Sequence, residues 1–274
     1  MLGNAAFRLF SASDGFQVTG TVRGSKPAEL VETTDARLVT DINATDQDRL
    51  VRLMGDVRPD VVINCVGVVK QLSAAKDPLV SIALNALFPH RLAELCAVAG
   101  ARLVHISTDC VFDGRKGDYT ESDPSNAEDL YGKSKFLGEV DYSHAVTLRT
   151  SIIGHELNSA HSLIDWFLSQ PGPSVKGYRK AIYTGLPTVE IARIIRDVVL
   201  PDAALCGVWH VASDKVSKYD LLNMVASTYG KVIEIVPDDV VAIDRSMDGS
   251  RFSARTGYVA PPWPELVARM HAAR

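Results

Sequence analysis

A chain of 274 residues can form one large domain or two small ones, and 46% hydrophobic against 23% charged residues excludes a disordered chain. With 33 acidic and 29 basic residues the net charge is −4, which excludes the broad cationic field that a nucleic-acid partner demands. The expected location is cytoplasmic and without a membrane partner, since no apolar run of 18 or more residues and no signal peptide are evident.

The chain opens MLGNAAFRLF, which reads as a helix with Ala5, Ala6, Leu9 and Phe10 as inward positions. Gly3 stands at its start, where a glycine usually completes a phosphate-binding turn begun on a strand. Short β-branched runs then alternate with helical patterns. The strands are expected at 16–22, 36–41, 60–66, 101–107 and 145–149, and the helices near 46–55, 78–99 and 129–142. This alternation predicts an α/β fold with a doubly wound parallel sheet over residues 1–150. DVVINCV (60–66) is apolar on both faces, as a buried central strand requires.

Beyond residue 150 Gly and Pro mark turns at 171–173, 185–187 and 261–264, and a smaller lobe is expected over 151–274. A helix at 188–200 and a strand at 207–212 should return to the main sheet, followed by a helix at 217–230 ending at Gly230 and a strand at 231–236. Cys65, Cys96, Cys110 and Cys206 lack metal-ligand spacing, so no metal is expected and the cysteines read as reduced core residues.

The residues with chemical promise are HISTDCVFDG (105–114) and YGKSK (131–135). Tyr131 and Lys135 are one helical turn apart, so an ammonium is expected to lower the pKa of the phenol and ready it for proton exchange. Ser107 and Thr108 end a strand at the carboxyl edge of the sheet, where open α/β sheets bind ligands, and a hydroxyl there can bond a substrate oxygen.

These motifs, with VVINCVG, NALFPHRLAELC and LRTSIIG in the same order, resemble the extended short-chain dehydrogenases/reductases, in the branch of sugar-nucleotide reductases of the dTDP-4-dehydrorhamnose reductase type. The resemblance implies a Rossmann-type fold and a catalytic set of Thr108 as hydroxyl partner, Tyr131 as acid and Lys135 as its modulator and a ligand of the nicotinamide ribose. It also implies that Gly3 is the last glycine of a Gly-x-x-Gly-x-x-Gly turn, the first strand and the turn's start, about ten residues, being absent. Related dehydratases carry Asp-Glu after the threonine; here Asp109 and Cys110 stand there, which disfavours dehydration. The reductases usually have tyrosine at the position of Cys110.

On the cofactor side, Arg23 occupies the place of the acidic residue of NAD-selective folds, and with Ser25 and Lys26 beside it favours NADP(H), NAD(H) remaining the second choice. Asp41 and Ile42 resemble the adenine-edge contact. Asn64, Cys65 and Gly67 resemble the turn beside the diphosphate and ribose, and Asn85 the asparagine behind the active face. For a nucleotide-sugar substrate, Asp109, Cys110, Lys180 and Arg251 are the candidates together with Arg245 and Arg255, because guanidinium and ammonium groups grip a diphosphate. The function implied is NADPH-dependent reduction of a nucleotide-activated 4-keto-6-deoxy sugar for deoxysugar or polysaccharide biosynthesis. Two alternatives stay open: a sugar-nucleotide epimerase, and a non-catalytic NADP-binding regulatory subunit like that of methionine adenosyltransferase. A homodimer also stays open.

Overall fold

The computed structural model describes residues 1–68, 70, 73–157 and 159–274. Helix α1 (Leu2–Ser11) buries Leu2, Ala6 and Phe10 at four-residue spacing, with Phe7 beside them. That stripe is rotated from the expected Ala5, Ala6, Leu9 and Phe10, because Leu9 lies at its margin. The chain continues through β1 (Val18–Thr21), β2 (Ala36–Val39), α2 (Gln47–Val57) and β3 (Val61–Asn64). Asp46 caps α2, its carboxylate accepting from the Arg49 amide at 3.0 Å. A long helical run follows: α3 (Pro78–Ser81), a π-helical segment Ile82–Leu87 and α4 (Phe88–Ala99), which ends at Gly100 with a φ of 70°.

Next come β4 (Arg102–Thr108), a 3₁₀ turn Asp109–Val111, α5 (Leu130–Leu137) and β5 (Ala145–Thr150). Helix α5 stops at Leu137, short of the expected 142. The remaining elements are β6 (Ile152–Ile153), α6 (Leu163–Ser169), β7 (Ser174–Tyr178), β8 (Ala181–Tyr183), β9 (Leu186–Pro187), α7 (Thr188–Ile194, continued as a π-helical segment Ile195–Val199), β10 (Gly207–His210), β11 (Val216–Ser217), α8 (Lys218–Tyr229), β12 (Glu234–Asp238), β13 (Ile243–Asp244), α9 (Ser250–Thr256) and α10 (Trp263–Ala272). The last expected strand, 231–236, is displaced to β12 because Gly230 and the following residues complete the turn out of α8.

The strands of the α/β half are all parallel. They form β1–β2 on one side and a four-stranded sheet in the order β10-β5-β4-β3 on the other. β1 and β3 do not pair among the described residues, yet the same helices cover both groups. Leu2, Ala6 and Phe10 of α1 join the core that holds Val104 and Val146, while Phe7 packs with Leu30 and Ala36. On the opposite face Leu50, Phe88, Leu92 and Cys96 pack with Val39 of β2 and Val62 of β3. Val61, Val62 and Ile63 are only half-buried, whereas β5 is buried throughout.

Strand β10 returns to the sheet beside β5 as expected, and α7 packs against α1 through Ile191, Ala192 and Ile194. Small sheets complete the C-terminal part: β7 with β12, β8 between β11 and β13, and β6 with β9. Two expectations need correction. The run Pro78–Ala99 has the length and apolarity of a membrane span, but Phe88, Leu92, Ala93 and Cys96 are buried beneath the sheet, which makes it a core helix. Of the four cysteines only Cys96 is a fully buried core residue; Cys65 and Cys206 are exposed and Cys110 is half-buried, because loops rather than strands carry them.

Two glycines separate steric need from mere permissiveness. A Cβ on Gly138 would collide with the backbone carbonyl of Asn85, whereas one on Gly55, exposed in the last turn of α2, would meet nothing. Chemical denaturation should show Gly138→Ala destabilised by about 1–3 kcal/mol or more and Gly55→Ala stabilised by about 0.5–1 kcal/mol.

Candidate active site

The carboxyl ends of the strands form one cleft edge. At β1 and β2 the backbone interleaves, the Val22 amide donating to the Val39 carbonyl and the Ile42 amide to the Val22 carbonyl, each at 3.0 Å. Arg23 and Asp41 therefore emerge side by side. Arg23 and Ser25 are exposed and without a bonding partner among the described residues, whereas Lys26 is paired with Glu32. Asp41 turns the chain at a φ of 58°, and Ile42 is buried in the core beneath it.

Past β3 the turn is built from asparagines. Asn64 is buried, its Oδ1 accepting from the Val66 amide at 3.0 Å and its Nδ2 lying 3.0 Å from His105 Nδ1. Asn85, in the π-helical segment, accepts from the Val68 amide at 2.8 Å and donates to Ser134 Oγ at 3.2 Å. A π turn re-aims one residue of a helix, and here the residue is Asn85. Gly3, Cys65 and Gly67 share this region. A side chain begun on Gly3 would start 3.5 Å from Cys65 Cβ, and one on Gly67 would start 3.3 Å from Asn85 Oδ1 and 3.9 Å from Lys135 Nζ. The start of α1 therefore sits over the end of β3, and Gly67 faces the lysine.

Helix α5 is capped by Asp129, which accepts from the Gly132 amide at 2.7 Å and from Lys70 Nζ at 2.5 Å. A Cβ on Gly132 would collide with the Cys110 carbonyl, so only glycine lets α5 rest directly on the 3₁₀ turn. This seating brings Tyr131 beside Thr108 and Cys110, both of which act on its phenol, while Thr108 Oγ1 accepts from the Cys110 amide at 3.2 Å. Lys135 is 5% exposed and donates to the Ile106 carbonyl at 2.7 Å.

The electrostatics differ from the sequence expectation at one point. Burial, reinforced by Cys110, raises the Tyr131 pKa above its ordinary value, with Thr108 acting in the opposite sense. The phenol is not lowered by Lys135, whose ammonium is directed to the Ile106 carbonyl. The tyrosine keeps its proton at neutral pH, as a proton donor must. Burial pulls the Lys135 ammonium down to about 8, against the opposing pull of Glu139 and Cys65. Burial and Asp109 push the Cys110 thiol up to about 12, so it is neutral.

Ser107 does not share the cleft. It points to the other face of β4 and donates to Glu139 Oε1 at 2.6 Å. Asp109 is buried beside Thr108, which donates to it at 3.1 Å. Lys218, the first residue of α8, acts on Asp109 and Cys110, and Arg245, which donates to the Phe112 carbonyl at 2.9 Å, acts on Cys110 together with Lys70. Three expected cations are engaged elsewhere. Arg251 lies over the Trp209 ring at 3.8 Å and donates to the Val208 carbonyl at 2.9 Å, Arg255 pairs with Asp202 at 2.9 Å, and exposed Lys180 faces Asp239.

Sequence reasoning missed Lys218, because it reads as an ordinary first-turn residue of an amphipathic helix. It also missed the cavity of about 290 Å³ beside it, lined by Leu163, Trp166, Val175, Lys176, Tyr178 and Leu222. Glu139 was equally silent, although its spacing of four from Lys135 carried a signal.

The RmlD substrate binding domain family model matches residues 2–272, and the chain belongs to that family. It is 28% identical to the Haloferax volcanii protein named "Probable low-salt glycan biosynthesis reductase Agl14", over 90% of this chain and 81% of that one. It is 23% identical to mouse methionine adenosyltransferase 2 subunit beta, over 97% of this chain and 86% of that one. The structure is similar to that of dTDP-4-dehydrorhamnose reductase from Bacillus anthracis in complex with NADP, with a TM-score of 0.78 at 18% identity over 94% of this chain and 99% of that one.

The buried lysine has a measurable signature. In the unfolded chain its pKa is the ordinary 10.5, in the folded protein about 8, so between these values the unfolded state binds more protons and stability rises with pH. Below about 8 the burial cost is present in full. At about 1.4 kcal/mol per pKa unit, urea unfolding at pH 8 and 9.5 should show wild type gaining about 2 kcal/mol relative to Lys135→Met.

Proposed function

We propose that this protein is an NADPH-dependent reductase of a nucleotide-activated 4-keto-6-deoxy sugar. The observation that carries the reading is the convergence of the Thr108 hydroxyl, the protonated Tyr131 phenol and the Lys135 ammonium beside the Gly67–Asn85 turn. NADPH supplies hydride when bound, and the residues that would hold it are Gly3 at the start of α1, Arg23 and Ser25 beyond β1, Asp41 and Ile42 beyond β2, Asn64 to Gly67 with Asn85 behind them, and Lys135. The exposed and unengaged Arg23 guanidinium suits a 2′-phosphate.

The chain's own groups then handle the proton. Thr108 accepts or donates at the substrate oxygen, and Tyr131 gives its proton to that oxygen as negative charge develops there. Lys218, which acts on Asp109, and Arg245, which acts on Cys110, suit the diphosphate. The cavity with Trp166 and Tyr178 has aromatic faces suited to a base. Production of a deoxysugar for a glycan follows from this reaction and accords with the printed name of the Haloferax relative.

A second reading has one observation behind it. The chain aligns along 97% of its length with a methionine adenosyltransferase beta subunit, which favours a nucleotide-binding regulatory subunit. Turnover separates the two. Tyr131→Phe keeps the ring and removes the proton, and should lower oxidation of NADPH with a dTDP-4-keto-6-deoxyhexose by about 10²–10⁴-fold while leaving NADPH affinity near normal. Wild-type protein that binds NADPH and oxidises none of it with nucleotide 4-keto sugars would instead establish the binding subunit. For the cofactor, Arg23→Ala should weaken NADPH roughly tenfold or more and leave NADH nearly unchanged in fluorescence titrations, since charge-assisted hydrogen bonds contribute about 1.5–3 kcal/mol.

A further inference from the structure

His105 opens the run HISTDCVFDG and is fully buried in the middle of β4, and nothing in the proposed reaction uses it. In the parallel register it lies abreast of Asn64 on β3 and Thr147 on β5. Thr147 is already committed, its hydroxyl donating to the Val140 carbonyl at 2.7 Å and accepting from the Val140 amide at 3.1 Å. Asn64 is the ring's partner, its Nδ2 lying 3.0 Å from His105 Nδ1.

The place of each hydrogen in this contact follows from chemistry. The Val66 amide is 3.0 Å from the other terminal atom of Asn64, and a backbone amide only donates, so that atom is the carbonyl oxygen. The group facing His105 is therefore the NH₂, which also donates. Nδ1 must offer its lone pair, and the ring proton is left on Nε2, which has no partner among the described residues. A protonated ring would set N–H against N–H. Burial holds the ring neutral, and Lys135 of α5 and His90 of α4 act in the same sense.

The second asparagine of the turn is anchored in the same manner. Asn85 Oδ1 accepts from the Val68 amide at 2.8 Å, while its Nδ2 donates to Ser134 Oγ at 3.2 Å. Each carboxamide thus holds one amide of the turn and is itself held by one neutral acceptor, Ser134 on α5 or His105 on β4. We propose that His105 is a positioning residue for cofactor binding: in its neutral Nε2–H form it holds the Asn64 carboxamide, which holds the Val66 amide and so fixes the turn that presents Gly67 toward Lys135. The proposal rests on the reading of this turn as part of a dinucleotide site.

Two measurements on the whole protein test it. In uniformly ¹⁵N-labelled protein without cofactor, long-range ¹H–¹⁵N correlations report the tautomer of each of the seven histidines, and the His105 signals are assigned by their loss in His105→Gln. Nδ1 should be bare and Nε2 protonated throughout about pH 6 to 8, where an ordinary histidine titrates. Asn64→Asp turns the partner into an acceptor and should bring a proton onto Nδ1. In fluorescence titrations His105→Phe, which keeps a buried ring and removes the lone pair, should raise the NADPH dissociation constant about two- to tenfold, the effect of one lost hydrogen bond. His105→Gln, whose amide oxygen can accept from Asn64, should recover most of that affinity. A proton on Nδ1 in the wild type, or unchanged NADPH affinity in folded His105→Phe, overturns the proposal; should that variant not fold, an Nδ1 still bare in Asn64→Asp overturns it instead. Neither the tautomer nor the dissociation constant needs turnover, so wild-type protein that binds NADPH and reduces no sugar sinks the reductase reading alone, and one that binds no dinucleotide sinks both.

Discussion

Helix α5 lies against its neighbours at a distance that no side chain would permit, and the geometry of the cleft depends on it. Gly132 faces the Cys110 carbonyl and Gly138 the Asn85 carbonyl, so the helix touches backbone at both ends, one contact on the turn after β4 and one on the π-helical segment. Between these contacts Asn85 donates to Ser134. The helix is fixed in translation and in rotation, and two side chains one turn apart are delivered to two different strand ends, Tyr131 to Thr108 and Lys135 to the Gly67 turn. The π-helical turn has a purpose in this frame, since it aims Asn85 at once toward the Val68 amide and toward α5.

Burying a lysine there opposes folding, and the fold compensates locally. The Ile106 carbonyl accepts a hydrogen bond from the ammonium and Glu139 favours the charge, while Arg149 keeps that carboxylate from being an unpaired ion. The buried ions thus form a chain in which each link answers the desolvation of the one before it. Tyr131 shows the opposite logic. Burial favours its neutral form, so no counter-ion is required and none is supplied.

What the sequence disclosed follows from which interactions are local. The parallel strands and the alternating helices were legible because a buried strand must be apolar on both faces, as DVVINCV is. Tyr131 and Lys135 were legible because helical spacing alone places them together. The partners of Lys135 were not, since Ile106 is 29 residues away and the contact is made by a carbonyl, which every residue has. Arg251 and Lys218 make the same point in reverse. An arginine near the end of the chain reads as a phosphate ligand, but Trp209 and the Val208 carbonyl hold Arg251, and only tertiary packing tells which basic residue faces Asp109.

The cleft joins two halves with different electrostatic tasks. Asp109 sits buried at the end of β4, and a diphosphate approaching it would meet a like charge in a poorly solvated place. Lys218 and Arg245, both supplied from beyond residue 200, act on that region. These cations offset the Asp109 carboxylate, which accepts from Thr108 and keeps its hydroxyl oriented. Ser217 caps α8 by accepting from the Asp220 amide at 3.0 Å, which fixes the helix start and with it the place of Lys218. The C-terminal residues therefore add positive charge to the region around the buried Asp109 carboxylate, so the charge of the cleft is set by residues far apart in the chain.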